Sequence, residues 1–178
     1  MKLIDEELGG TTPLEVILKF PKVKKEEDTN KDDEYDDWGD EDEDNDKKYW
    51  FTKDKINKIK MVHSYLDNLN PVGKVLSFSS IIDVATQLNN NKALGTLEMG
   101  VLYSKIPDTI KKEIVDPYIS IEDSEARVSL RIKDSQDGLR RNDLINQINF
   151  DLKNKLGLEE DEFKLGGCLL YTSPSPRD

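Results

Sequence analysis

Twice along this chain an alternating run gives way to a long helical stripe and then to another short apolar run, and that repetition restricts its folds more than any composition figure. Leu14 to Phe20, Thr52 to Leu69 and Val72 to Ser79 make the first set. Ala126 to Lys133, Leu139 to Leu156 and Phe163 to Gly166 make the second. A period of two marks a half-buried strand, and apolar residues recurring at three and four mark one face of a helix. In the first run Leu14, Val16, Leu18 and Phe20 share a face while Glu15, Ile17 and Lys19 share the other, and Pro21 ends it.

Two β-α-β sets in tandem predict an α+β chain, and their order is that of a split βαβ or ferredoxin-like sandwich. Thr52 is the expected N-cap of the first helix, which ends before Asn70-Pro71. Its stripe is Ile56, Ile59, Val62, Leu66 and Leu69, with Lys53, Lys55, Lys58 and Lys60 expected on the solvent side. In Val72 to Ser79, Leu76 and Phe78 are expected to point together. The second helix should bury Ile145, Ile148, Leu152 and Leu156 and stop at Gly157, a residue suited to the left-handed position after a helix. Tyr118 to Glu122 and Ala126 to Lys133 read as a hairpin around Asp123-Ser124-Glu125. Between the halves, residues 80–116 hold three short helical stretches, Ile81 to Leu88, Leu94 to Tyr103 and Pro107 to Val115, an insertion expected to form a small cap.

The formal net charge of −11 is a local property. Between Glu26 and Asp46 lie 14 acids and one lysine, which leaves 23 acids against 25 bases in the rest. Residues 24–48 carry too little apolar surface to offset the entropy of ordering them, so a disordered acidic loop is expected there. No basic stripe remains to argue for nucleic acid. The single cysteine, Cys168, excludes an internal disulfide. Met1 to Leu8 has no apolar core of a signal peptide, and no run reaches the roughly 20 apolar residues that span a bilayer. Cys168 to Asp178 reads Cys-Leu-Leu-Tyr-Thr-Ser-Pro-Ser-Pro-Arg-Asp, which matches one frame of a common transposon-derived sequencing adapter. Residues 168–178 are therefore read as a non-native scar, and residues 1–167 as one domain cut from a longer protein.

Each constellation that could carry chemistry has a plainer reading. His63, the only histidine, has Asp67 one turn on and no other ligand, an ordinary helix-surface pair. The acidic run does not form a calcium loop: with Gly39 in the glycine position, Trp38 precedes it and Asn45 closes it. No phosphate-binding glycine loop, nucleophile elbow or zinc-protease motif occurs, and Gly166-Gly167 lies too close to the scar to count. An RNA-recognition sheet would need aromatics where this chain has Arg127, Ser129 and Arg131. What is left is a polar sheet face of Glu15, Lys19, Arg127, Arg131 and Lys133, either wet or covered by another module. No catalytic, cofactor-binding or metal-binding residue is expected.

Four stretches carry a resemblance. They are Gly9-Gly10-Thr11-Thr12-Pro13-Leu14-Glu15-Val16; Trp50-Phe51-Thr52, whose helix leads into Val75-Leu76-Ser77-Phe78-Ser79; Tyr118-Ile119-Ser120-Ile121-Glu122-Asp123 with Ala126-Arg127-Val128; and Leu139-Arg140-Arg141. In that order, over residues 3–167 apart from the acidic insert, the chain resembles the first extracytoplasmic porter domain of exporters of the resistance-nodulation-division (RND) superfamily, in particular the MMPL-like branch. The resemblance implies a proton-driven inner-membrane exporter of hydrophobic or amphiphilic compounds, lipids among them, with this segment on the periplasmic or extracytoplasmic side. Its proton-relaying acids would lie in membrane helices outside this chain. The fragment would then have no catalysis and no cofactor, and its partners would be the exporter's remaining transmembrane and porter domains. A free-standing ferredoxin-like interaction module with an acidic loop is the alternative.

Overall fold

The computed structural model describes residues 3, 7–21, 50–92, 95–135 and 138–167. The acidic insert at 24–48, with Trp38, Gly39 and Asn45, and the tail at 168–178 lie outside the described residues. The fold is α+β: a five-stranded antiparallel sheet with helices. In chain order the elements are β1 (Thr12–Lys19), α1 (Lys53–Asp67), β2 (Val72–Leu76), α2 (Phe78–Leu88), α3 (Thr96–Lys105), α4 (Asp108–Ile110) running into a π-helical turn (Lys111–Val115), β3 (Ile119–Ser120), β4 (Glu125–Ile132), α5 (Arg141–Asn154) and β5 (Phe163–Gly166).

Strand order is β2-β4-β1-β5, so each strand of one βαβ set is separated from its sequence partner by a strand of the other set. β4 pairs with β1 over its whole length, from Thr12 opposite Ile132 to Lys19 opposite Glu125. Its other edge is shared, with β2 against Ser129 to Ile132 and β3 against Glu125 and Ala126. The alternation predicted for β1 and β4 is observed: Leu14, Val16, Leu18, Ala126, Val128, Leu130 and Ile132 are buried. Opposite residues share a face, so Leu14 meets Leu130 and Val16 meets Val128 on the inner side.

Two helices supply much of the rest of that core. α1 buries Ile56, Ile59, Val62 and Leu66, and α5 buries Leu144, Ile145, Ile148 and Leu152. Thr52 caps α1 as expected, its side chain accepting from the Lys55 amide at 3.5 Å. Gly157 has φ +67°, the left-handed conformation expected of it after α5. Asp151, also buried, joins the two helices: its Oδ2 accepts from the Tyr65 hydroxyl at 2.7 Å and from Lys155 Nζ at 2.9 Å. Those two donors, Lys155 first, hold the carboxyl below its ordinary range, while burial and the carboxylate push the Tyr65 phenol up. Lys58 Nζ reaches Glu162 Oε1 at 2.6 Å and ties α1 to the start of β5.

Gly9-Gly10 does more than hinge the chain into the sheet. Gly10 has φ +103°, and a Cβ there would come within 2.8 Å of the Arg131 backbone, so the segment lies flat on the end of β4. The Thr11 amide then donates to the Ile132 carbonyl at 3.1 Å and starts β1 two residues earlier than the alternation alone marks it.

Two expectations are corrected. Phe78 does not continue β2 beside Leu76: the strand stops at Leu76, Ser77 turns the chain as an N-cap, and Phe78 opens α2 and is buried while Leu76 is exposed. The Ser77 hydroxyl accepts from the Ser79 amide at 3.1 Å, and this cap begins the helix three residues before Ile81. Lys55 is not on the solvent side. It is buried, its Nζ 4.7 Å from the Trp50 ring centroid and 5.7 Å from that of Phe20. Burial lowers the pKa of its ammonium group.

Candidate functional site

Helices α2, α3 and α4 follow one another with only short connections, and their apolar residues exceed what the sandwich can cover. α2 turns Phe78 and Ile82 into the core, and the π-helical turn buries Val115. Phe51 forms the joint between the two regions, its ring centroid 5.5 Å from that of Phe78 and 5.0 Å from that of Tyr103. A second stripe on each helix is left over. From α2 it comprises Ile81, Val84, Ala85 and Leu88; from α3 and the residue after it, Leu102 and Ile106; from α4 and its extension, Ile110 and Ile114.

These side chains converge on a cavity of about 530 Å³ whose lining is completed by Leu76, Ser77, Ser80, Glu113, Val115 and Tyr118. It is open to water: Leu88 is 82 % exposed and Val84 57 %. Among the described residues Glu113 is the one charged residue lining it, and it is exposed. Nearby Lys111 does not neutralise that carboxylate, because its Nζ lies 4.8 Å from the Tyr103 ring centroid and 3.4 Å from Asp108 Oδ1. Ser77 is buried at the edge of the cavity and is held by His63, with Nδ1 to Oγ at 2.9 Å.

The residues singled out from sequence are placed elsewhere. His63 pairs with Ser77 and so fixes the β2–α2 corner, not the Asp67 contact expected of it. Glu15, Lys19, Arg127 and Arg131 lie on the sheet face away from the helices, where Arg127 Nε stands 3.7 Å from Glu15 Oε2 and Lys19 Nζ stands 3.9 Å from Glu125 Oε1. At this exposure such pairs contribute about 0–1 kcal/mol each. Among the described residues no cluster of histidine, cysteine and carboxylate side chains could hold a metal ion, and no helix is long and apolar enough to cross a membrane.

The cavity has no local signature, because its walls come from three helices whose relative placement no local pattern specifies. Its trace in the sequence is the four-residue recurrence of Leu102, Ile106, Ile110 and Ile114, which runs through Pro107. Comparison of the chain with family models, curated proteins and solved structures gives no match.

Proposed function

We propose that this chain is an extracytoplasmic porter-type domain of an RND exporter of the MMPL-like branch, built as a ferredoxin-like split βαβ sandwich with a helical insertion. The observation that carries the reading is the interleaving of the two βαβ sets, β2-β4-β1-β5, with an apolar cavity in the segment that joins them. A sandwich with its helices on one side leaves the opposite sheet face for a neighbouring module. A helical insertion with wet apolar walls provides a surface for hydrophobic or amphiphilic cargo. The domain then works on the periplasmic or extracytoplasmic side of a cell membrane, held by the exporter's other domains. It contributes shape and part of the substrate route, while proton-driven chemistry belongs to membrane helices outside this chain.

Extending the coding sequence in both directions tests this. A run of about 20 apolar residues is expected shortly before Lys2 and another soon after Gly167. A complete reading frame without either run would overturn the proposal.

A further inference from the structure

We propose that the cavity between α2, α3 and α4 binds one single-chain amphiphile, its alkyl chain against the apolar walls and a cationic or hydrogen-bond-donating head at Glu113. The proposal deepens the exporter reading and rests on it for one point, that the bound amphiphile is cargo; the binding itself is a property of this chain.

Size, wall chemistry and charge each contribute. A volume of about 530 Å³ falls within the range of roughly 300–1,000 Å³ of small-molecule pockets, which pair mostly apolar walls with a few polar groups. Val84, Leu102, Ile110 and Ile114 are all exposed on these walls, an apolar surface of the kind that marks an interaction or ligand-binding site. The side chains converge from three elements onto one hollow. Glu113 then selects the head. It has no ion pair among the described residues, and no cation lines the cavity, so an ammonium or hydroxyl head gains a partner there and a carboxylate head meets a like charge.

The test uses the full 178-residue chain at about neutral pH, where an alkylamine is a cation. Dodecylamine and dodecanoate are titrated below their micelle concentrations and followed by calorimetry, with butylamine as the head-only control. Dodecylamine should bind saturably with one site. Dodecanoate should bind about ten-fold more weakly, the sum of one exposed attraction gained and one repulsion avoided, and butylamine should not bind. Glu113→Lys should reverse the order of the two twelve-carbon probes. Ala85→Trp should fill the cavity and abolish binding of both. Val84→Asn, a neutral polar group at a wall position that is 57 % exposed, should weaken the binding of both probes if Ala85→Trp does not fold.

Equal affinity for the two probes, or no saturable binding of either, overturns the proposal. So does dodecylamine binding that survives Ala85→Trp or, where that variant does not fold, is unchanged by Val84→Asn, since that places the amine elsewhere on the chain. Membrane spans in the flanking sequence with no amphiphile binding would remove this inference alone. Binding without such spans would remove the exporter reading and leave this one standing.

Discussion

The sandwich and the helical insertion are made from similar apolar side chains and treat them in opposite ways. On the sandwich side, Leu14, Val16, Ile59, Val62, Leu66, Val128 and Ile148 are completely buried. In the insertion Val84, Leu88, Leu102, Ile110 and Ile114 are exposed, and only a few residues such as Phe78, Ile82, Met99 and Val115 reach the core. The difference lies in what each element has to pack against. A strand face and a helix stripe brought together by βαβ connections close on each other, whereas α2 turns one apolar stripe to the core and leaves a second, with those of α3 and α4, on the cavity wall. Stability therefore resides in the first region, and the surface open to a ligand lies in the second.

The most direct way to break this contrast is at the joint. Phe51→Ala removes a fully buried ring that touches Trp50 ahead of α1 and Phe78 and Tyr103 of the insertion, and should cost about 4 kcal/mol. Urea unfolding followed by both tryptophan fluorescence and circular dichroism should keep one transition; two would mean that the regions unfold separately. Ile148→Ala, within the sandwich, should cost about 3 kcal/mol by the same measurement, because it removes most of a fully buried side chain and leaves a cavity in a packed core. Ser77→Ala removes the α2 cap and the partner of His63 and should cost about 1 kcal/mol, with the loss of helicity confined to the insertion.

Acid sharpens the contrast from the sandwich side. Asp151 and Glu162 are held below the ordinary carboxylate range, the first by Lys155 and Tyr65, the second by Lys58. The folded chain therefore gives up these protons more readily than the unfolded chain. Their contribution is complete above about pH 4, the unfolded value, and is lost as the pH falls through the lowered folded values. Urea midpoints measured from neutral pH downward should show that decline, and Asp151→Asn should flatten it. The smallest effect is expected at the cavity wall. Leu102, 41 % exposed, should tolerate Ala within about 0.5 kcal/mol. A loss as large as that of Ile148→Ala would show that the insertion is packed as tightly as the core.

Local chemistry made much of the sandwich legible. The alternation of Leu14, Val16 and Leu18 and of Val128, Leu130 and Ile132 places both central strands and their inner faces; Thr52 and Gly157 mark one end of each long helix; Phe163 to Gly166 matches β5 to the residue. Phe78 was illegible because a short apolar run of Val, Leu and Phe fits a strand and a buried helix start alike, and the decision rests with the Ser77 cap. Lys55 was illegible for another reason: the rings that shelter it, Phe20 and Trp50, come together only when the end of β1 meets the start of α1. The cavity required the placement of three helices, which depends on packing around Phe51 and Tyr103 more than on any motif.

One last consequence follows from the pairing of β1 with β5. Glu15 lies opposite Gly166, and Gly167 passes against the Pro13 backbone, so the chain arrives at Thr12 and departs at Gly166 from the same corner of the sheet. The arriving segment does not run beside β5: Gly9 lies against Gly73 of β2, so it crosses the end of β4 before it joins the sheet. Tension on the departing strand would load that corner first and open the β1–β5 ladder rung by rung, while the arriving segment stays clamped across β4.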